Sequence, residues 1–464
     1  MDAIEPIDNP IDTPAADAKP SRMNAFLLFL ICFIPLFATV VFGAVDSAAW
    51  VLLSVLWALM VLLWFGGAVV TRNLAVSTSL LQVPIAGLLL LGVLQLLPLA
   101  GETIAGVETS RALSADPFAT RLFVLRVVIF LTFFSAALTF IDTEGRLKKV
   151  VVLVVIFGAV MAFFGLLQRM ANPDGIYGVR LTPDAVSFGP FVNQHHFAAF
   201  MQMTGGVALG LLLRRGITRD RQALLITAVV VMGVAVAFTG SRGGMLGFLT
   251  TAAFTFVLTF LAGRRKGHGN EPLAASQGLP LLAAGGLGLV VVIFGTALLL
   301  GGNDSLLRGI GAVSANVDVS TGRLHFWPIA LRIFLDHPVI GAGMEAFGAA
   351  FPVYDSWNGF FRVEHAHNDY LQILADGGIL GFACVAAFIV LLFRCGLRTV
   401  AAASGFRRAA AIGALAGCLG ILVHSFFDFP LRTNSNAFFF LLLAVIATSR
   451  VAPEHELGHR RKSH

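Results

Sequence analysis

The chain has 464 residues, 57% of them hydrophobic and only 12% charged, with a formal net charge of +6 and 41 phenylalanines. Soluble domains carry about 25% charged residues, so a soluble enzyme is excluded and no nucleic-acid partner is expected. Repeated apolar runs of ~20 residues read as membrane helices, and the alternating short strands of a barrel are missing, which leaves an all-α polytopic membrane protein.

In chain order, residues 1–22 are rich in Asp, Pro and Ala and lack hydrophobic periodicity, as expected of a disordered tail. The first apolar run, 24–45, is longer than the ~7–15-residue core of a signal peptide and reads as a span. About twelve spans are predicted. Nine lie within 23–300, at 24–45, 48–70, 78–100, 122–141, 148–168, 191–213, 222–239, 244–262 and 279–300. Three more lie within 377–450, at 378–395, 409–427 and 434–450, before a basic tail at 451–464. Between the two groups runs one long loop, 301–376, in which short helices are expected. Loops this long are uncommon unless they carry function, so 301–376 is the candidate active-site lobe. The four cysteines sit in or beside apolar runs with no CxxC spacing, which suggests buried thiols.

Alternate loops collect most of the Lys and Arg, including Arg214-Arg215, Arg264-Arg265-Lys266 and Arg407-Arg408. The positive-inside rule makes that side cytoplasmic. Both termini are then cytoplasmic, and the 301–376 loop lies outside, in the periplasm of a bacterial inner (cytoplasmic) membrane. Arg242, Asn193-Gln194-His195-His196 and Asp428 fall near the same outer face although they played no part in the assignment. Charges are sparse inside the spans, Arg126 being the clearest exception. That sparseness disfavours a transporter or flippase of lipid-linked sugars, the competing class, because ion-coupled transport uses intramembrane charges. Gly205-Gly206-Gly210 and Gly285-Gly286-Gly288 are expected to let helices approach closely.

Chemistry-bearing residues cluster in few places. Gly240-Ser241-Arg242-Gly243-Gly244 joins two spans on the outer side. Arg242 there either anchors a turn at the interface or grips a phosphate, whose oxygens match the guanidinium fork. Ser320 or Thr321 is expected to cap a helix that starts near Arg323, with Trp327, Leu331 and Phe334 as its buried stripe. A cation in a first turn gains nothing from the helix dipole, which leaves Arg323 available for an anion. Asp336-His337-Pro338 and Gly341-Ala342-Gly343 read as an architectural helix stop and reversal. Glu364-His365-Ala366-His367-Asn368-Asp369-Tyr370 is the densest cluster. Three roles stay open for its histidines: catalysis or pyrophosphate contact, metal ligation by His365, His367 and Asp369, or structural hydrogen bonding. Asp428 could orient His367 or pair with Arg242 or Arg323, a surface contact with Arg432 being the plainer alternative.

Taken together and in order, Ser241-Arg242-Gly243, Gly322-Arg323 with Trp327, His337-Pro338-x-x-Gly341-x-Gly343, His367-Asn368-x-Tyr370-Leu371 with Gly378-x-x-Gly381, and His424 through Asp428 resemble the O-antigen ligase and O-antigen polymerase superfamily. Asn193-Gln194-His195-His196-Phe197-Ala198 resembles a further segment common there, and the extra His365 departs from the plainest His-Asn form. The resemblance implies a membrane glycosyltransferase. Its donor is a glycan on undecaprenyl diphosphate, and its acceptor is lipid A-core or a growing polysaccharide, at the membrane surface among lipids. By that resemblance Arg242 and Arg323 bind the diphosphate and His367, with His365 as the alternative, is catalytic. Asp428, Asn368, His195 and His196 support them. An inverting reaction without metal or other cofactor is expected.

Overall fold

The computed structural model describes residues 22–104, 107–171, 175–182, 185–214, 216–264, 273–302, 305–307, 322–357 and 362–449, with backbone alone for 102–110, 264 and 273–284. The expectations for the two tails and for Ser320 or Thr321 as a cap lie outside these residues.

Apolar helices dominate. They run α1 (Arg22–Val40), α2 (Ser47–Thr71), α3 (Gln82–Gln95), α4 (Pro117–Phe140), α5 (Glu144–Ala171), α6 (Gln194–Leu212), α7 (Arg219–Thr239), α8 (Arg242–Arg264) and α9 (Leu273–Leu299). The polar lobe contains α10 (Arg323–Asp336) and the short α11 (Phe347–Ala350), after which come α12 (Asp369–Ala402), α13 (Gly405–His424) and α14 (Asn434–Thr448). Every predicted span falls on a helix. Among the described residues eight helices (α1, α2, α4, α5, α7, α8, α12 and α13) are long and apolar enough to cross a membrane; α3, α14 and the 285–299 part of α9 are apolar but shorter.

Two features depart from the expected layout. Strands β1 (Ala100–Ile104) and β2 (Val107–Arg111) form an antiparallel hairpin between α3 and α4, so the fold is nearly but not wholly helical. The polar loop is also helical at its end, because Asp369 opens α12, which runs through the boundary at 376 and kinks at Gly378.

Glycine decides the tightest crossing. A Cβ on Gly206 would lie 2.8 Å from the Gly413 carbonyl oxygen, and one on Gly210 would lie 2.4 Å from that of Ala409. Helices α6 and α13 therefore touch backbone to backbone, as small residues permit in membrane bundles. α6 is buried along almost its whole length. The second glycine run behaves differently: only Gly286 meets a neighbour, Phe256, while Gly285 and Gly288 face open space.

The lobe is built on a smaller apolar core of Phe326, Ile329, Ala330, Ile333, Phe347, Phe351, Ala366 and Ala375. This corrects the expected stripe on α10. Leu331 is exposed, and Trp327 and Phe334 are only half-buried. Apolar residues occur on more than one face of that helix, and spacing alone does not say which face is inside. The glycine turn is architectural, as expected. Gly341 (φ 73°) and Gly378 (φ 60°, where α12 kinks) pack so closely that a Cβ on Gly341 would sit 2.3 Å from the Asp376 carbonyl carbon. Gln95, fully buried on α3, ties the two together: its Nε2 donates to the Ile340 and Asp376 carbonyls, and its Oε1 accepts from the Met344 N–H.

Candidate active site

The turn that follows α13, Ser425–Phe429, is where the separate sequence motifs meet. α12 is docked onto it by the Asp369 N–H donating to the Ser425 carbonyl (2.9 Å) and by Ser425 Oγ donating to Asp369 Oδ2 (2.9 Å). α8 abuts it, since a Cβ on Gly243 would fall 2.6 Å from His424 Cδ2 and 3.2 Å from Phe427 Cβ. α10 starts beside it, with Arg323 Nε donating to the Phe427 carbonyl (2.9 Å). Arg242 and Arg323 thus each open a helix whose first turn touches Phe427, although 80 residues of sequence separate them.

Asp428 is 1% exposed at the centre. Its Oδ1 accepts from the Phe429 N–H (2.9 Å) and lies 3.3 Å from His367 Nδ1, while Oδ2 is 4.0 Å from His195 Nδ1. Burial alone would raise its pKa, but the hydrogen bond from His367 and the charges of His195 and His196 hold it far below the ordinary carboxylate range. An ionised Asp428 accepts a hydrogen bond from Nδ1–H of His367, which places the lone pair of the neutral imidazole on Nε2. His367 has φ 51°, in the left-handed region that is costly for a side-chain-bearing residue. Its position is maintained by neighbours: Trp327 Nε1 donates to the Ala366 carbonyl (3.1 Å), and Gln372 Oε1 accepts from the Ala366 N–H. Asn368 supports it by capping α12, its Oδ1 accepting from the Tyr370 and Leu371 N–H groups (3.0 and 3.1 Å).

The other histidines divide by partner. His195 Nδ1 is 2.8 Å from Ser241 Oγ, which joins the α6 start to the residue before Arg242. His196 is buried, with Nδ1 2.6 Å from Thr433 Oγ1, and it stacks edge-on against Phe429, a structural role. His365 also packs on Phe429, with centroids 4.3 Å apart. Burial, with the adjacent Arg432 adding to it, pushes His365 down to about 3. It is therefore neutral and faces a different set of charges from His367.

That second set was not foreseen. Arg432 does not pair with Asp428. It contacts Glu345 (3.0 Å), Asp376 (2.9 Å) and Asp369 (3.8 Å), and Glu345 also receives Arg126 (3.1 Å). Burial opposes the ionised form of Glu345, but Arg432 and Arg126 outweigh it and hold the carboxyl below its usual range. A cavity of about 250 Å³ is lined by this cluster's Arg126, Glu345, Asp369 and Arg432 together with apolar residues of α3, α4, α12 and α14, and none of His367, Arg242 and Arg323 lines it.

His195, His424 and Asp428 present possible ligand atoms within 4.8 Å of one another; among the described residues this is the trio that could hold a cation, in place of His365, His367 and Asp369. The fit is poor. Arg323 is near enough for its charge to act on His195 and His424, and Asp428 already serves His367.

The structure is a bundle of apolar helices, eight of them among the described residues long and apolar enough to cross a membrane, with its arginine- and histidine-bearing helix ends gathered around one turn. Residues 227–386 match the O-antigen ligase family, which bears out the resemblance to the O-antigen ligase and O-antigen polymerase superfamily. The matched stretch runs from α7 into α12 and contains Arg242, Arg323 and His367, whereas His195, His196 and Asp428 lie outside it. No curated protein matches the chain. The family match supports an O-antigen ligase- or polymerase-type membrane glycosyltransferase activity in general.

Proposed function

We propose that the protein transfers a glycan from a polyprenyl diphosphate, undecaprenyl diphosphate in a bacterial inner membrane, to an acceptor hydroxyl on lipid A-core or on a growing polysaccharide. The observation that carries this reading is the meeting of the Arg242 and Arg323 helix starts with the His367–Asp428 pair around one turn. In the proposed reaction His367 Nε2 takes the acceptor hydroxyl proton as the oxygen bonds to the anomeric carbon. The bond from that carbon to the diphosphate oxygen breaks, and its electron pair leaves with the diphosphate. Arg242 and Arg323 receive the developing negative charge, the role fixed cations perform best in a preorganised site. Asp428 holds the imidazole and stabilises its charged form. Attack opposite the leaving group inverts the anomeric centre, and no metal takes part. The site faces the periplasm, with both termini cytoplasmic.

The test is transfer by the purified protein from a lipid-diphosphate-linked repeat unit to candidate acceptors, with and without EDTA. Product of inverted anomeric configuration, unaffected by EDTA and absent with His367→Ala, is expected. A retained configuration, or full product from His367→Ala at normal protein level, would refute the assignment.

A further inference from the structure

Helix α10 has two apolar faces. Phe326, Ile329, Ala330 and Ile333 are buried in the lobe core. On the opposite side Leu324, Leu331 and Leu335 are 76%, 45% and 63% exposed. With the exposed Pro328 they recur at i, i+4, i+7 and i+11, which places them on one line along the helix. Three of its polar residues, His325, Arg332 and Asp336, share one edge between the two faces, and Arg323 stands at the start of the other edge. A helix on a water-facing lobe would carry its polar residues where these leucines stand.

The leucine line also continues onto exposed apolar residues of a helix long and apolar enough to cross a membrane. Just beyond α10, the Pro338 and Val339 carbonyls accept from the Ile379 and Leu380 N–H groups (2.8 and 3.2 Å). Val339, Ile379 and Leu380 are 56%, 49% and 45% exposed. Ile379 and Leu380 begin the straight part of α12 beyond its kink, within a helix of membrane-crossing length and composition. The end of α10 is therefore fastened to α12 where that membrane-length helix straightens beyond its kink.

We propose that α10 lies in the membrane interface, with Leu324, Leu331 and Leu335 immersed in the acyl chains of the adjoining leaflet and the Arg332–Asp336 edge toward water. An amphipathic helix seated this way buries its apolar face by several ångströms below the headgroups. The lobe then rides on the bilayer surface, and Arg323, at the first turn of α10, is held at headgroup depth. The seating stands independently of the transferase reading.

Spin labels at Leu324→Cys, Leu331→Cys, Leu335→Cys and Asp336→Cys test it, one at a time, in the full-length chain with its four native cysteines changed to Ala. The chain is reconstituted in vesicles of phosphatidylethanolamine and phosphatidylglycerol. At the three leucine positions, collision with dissolved oxygen should exceed collision with a water-soluble nickel chelate, and the order should reverse at Asp336. Nickel accessibility above oxygen at the leucines would mean an aqueous face and overturn the proposal. Protection from both reagents would mean that protein covers the stripe, and would overturn it equally. The readout needs no donor, acceptor or activity.

Discussion

Asp428→Asn isolates the electrostatic part of the site. The amide has nearly the shape of the carboxylate and can still accept from His367 Nδ1, so the fold and the imidazole orientation are expected to persist. What disappears is the negative charge beside an imidazole that must become cationic. At the observed 3.3 Å and an effective dielectric of ~20, the lost attraction is ~5 kcal/mol. The amide dipole returns part of it, and with Asp428 1% exposed, water supplies little. A net loss of ~3–4 kcal/mol from the transition state corresponds to ~10²–10³-fold in kcat. The assay is single-turnover transfer with donor in excess, beside a donor-binding measurement that should stay unchanged. A variant within threefold of the parent rate would show that Asp428 is not the partner that stabilises a charged His367.

Other perturbations separate binding from scaffold. Arg323→Lys keeps the charge but loses both the planar fork and the Nε donor to the Phe427 carbonyl; transfer should fall sharply at unchanged membrane content, and near-normal product would argue against diphosphate binding. Arg432→Met leaves Asp376 and Asp369 without a cationic partner in a buried setting and Glu345 with Arg126 alone, so it should cost ~3–5 kcal/mol of stability, seen as a large drop in thermal midpoint in detergent. A midpoint shift of only a degree or two would mean that the cluster relaxes. Stability should also depend on acid through His365. Its folded pKa is depressed to about 3, so between about pH 6.5 and 3 the unfolded chain binds a proton that the folded chain does not. The His365 contribution thus falls by ~1.4 kcal/mol per pH unit as pH drops through that window and is constant above it. Comparing the thermal midpoint of His365→Gln with the parent between pH 7 and 5 measures this, and parallel curves would contradict it.

The architecture was legible because hydrophobic length is a strong signal: each ~20-residue apolar run became a helix. Gly206 and Gly210 were equally readable, since small residues at that spacing have few other uses in a span. The β1–β2 hairpin was missed because five-residue strands give too short a pattern to register. In the site, Asp428 as the partner of His367 could be inferred from residue chemistry and motif order. The alternative that set Arg432 against Asp428 fails for a geometric reason: Arg432 stands four residues after Asp428, a spacing that implies contact only on a continuing helix. α13 ends at His424, and Pro430 opens a separate short turn that points Arg432 to Glu345 and Asp376 instead. Arg126 was the one clue to that cluster, a charge within a span that needed a carboxylate partner.

An electron-cryomicroscopy structure of His367→Ala with a polyprenyl-diphosphate-linked repeat unit bound tests the central claim most directly. The diphosphate is expected between the Arg242 and Arg323 guanidinium groups, with the anomeric carbon turned toward the space vacated by the imidazole. A diphosphate held elsewhere, for example at Arg126 in the apolar cavity, or one touching only one of the two arginines, would contradict it.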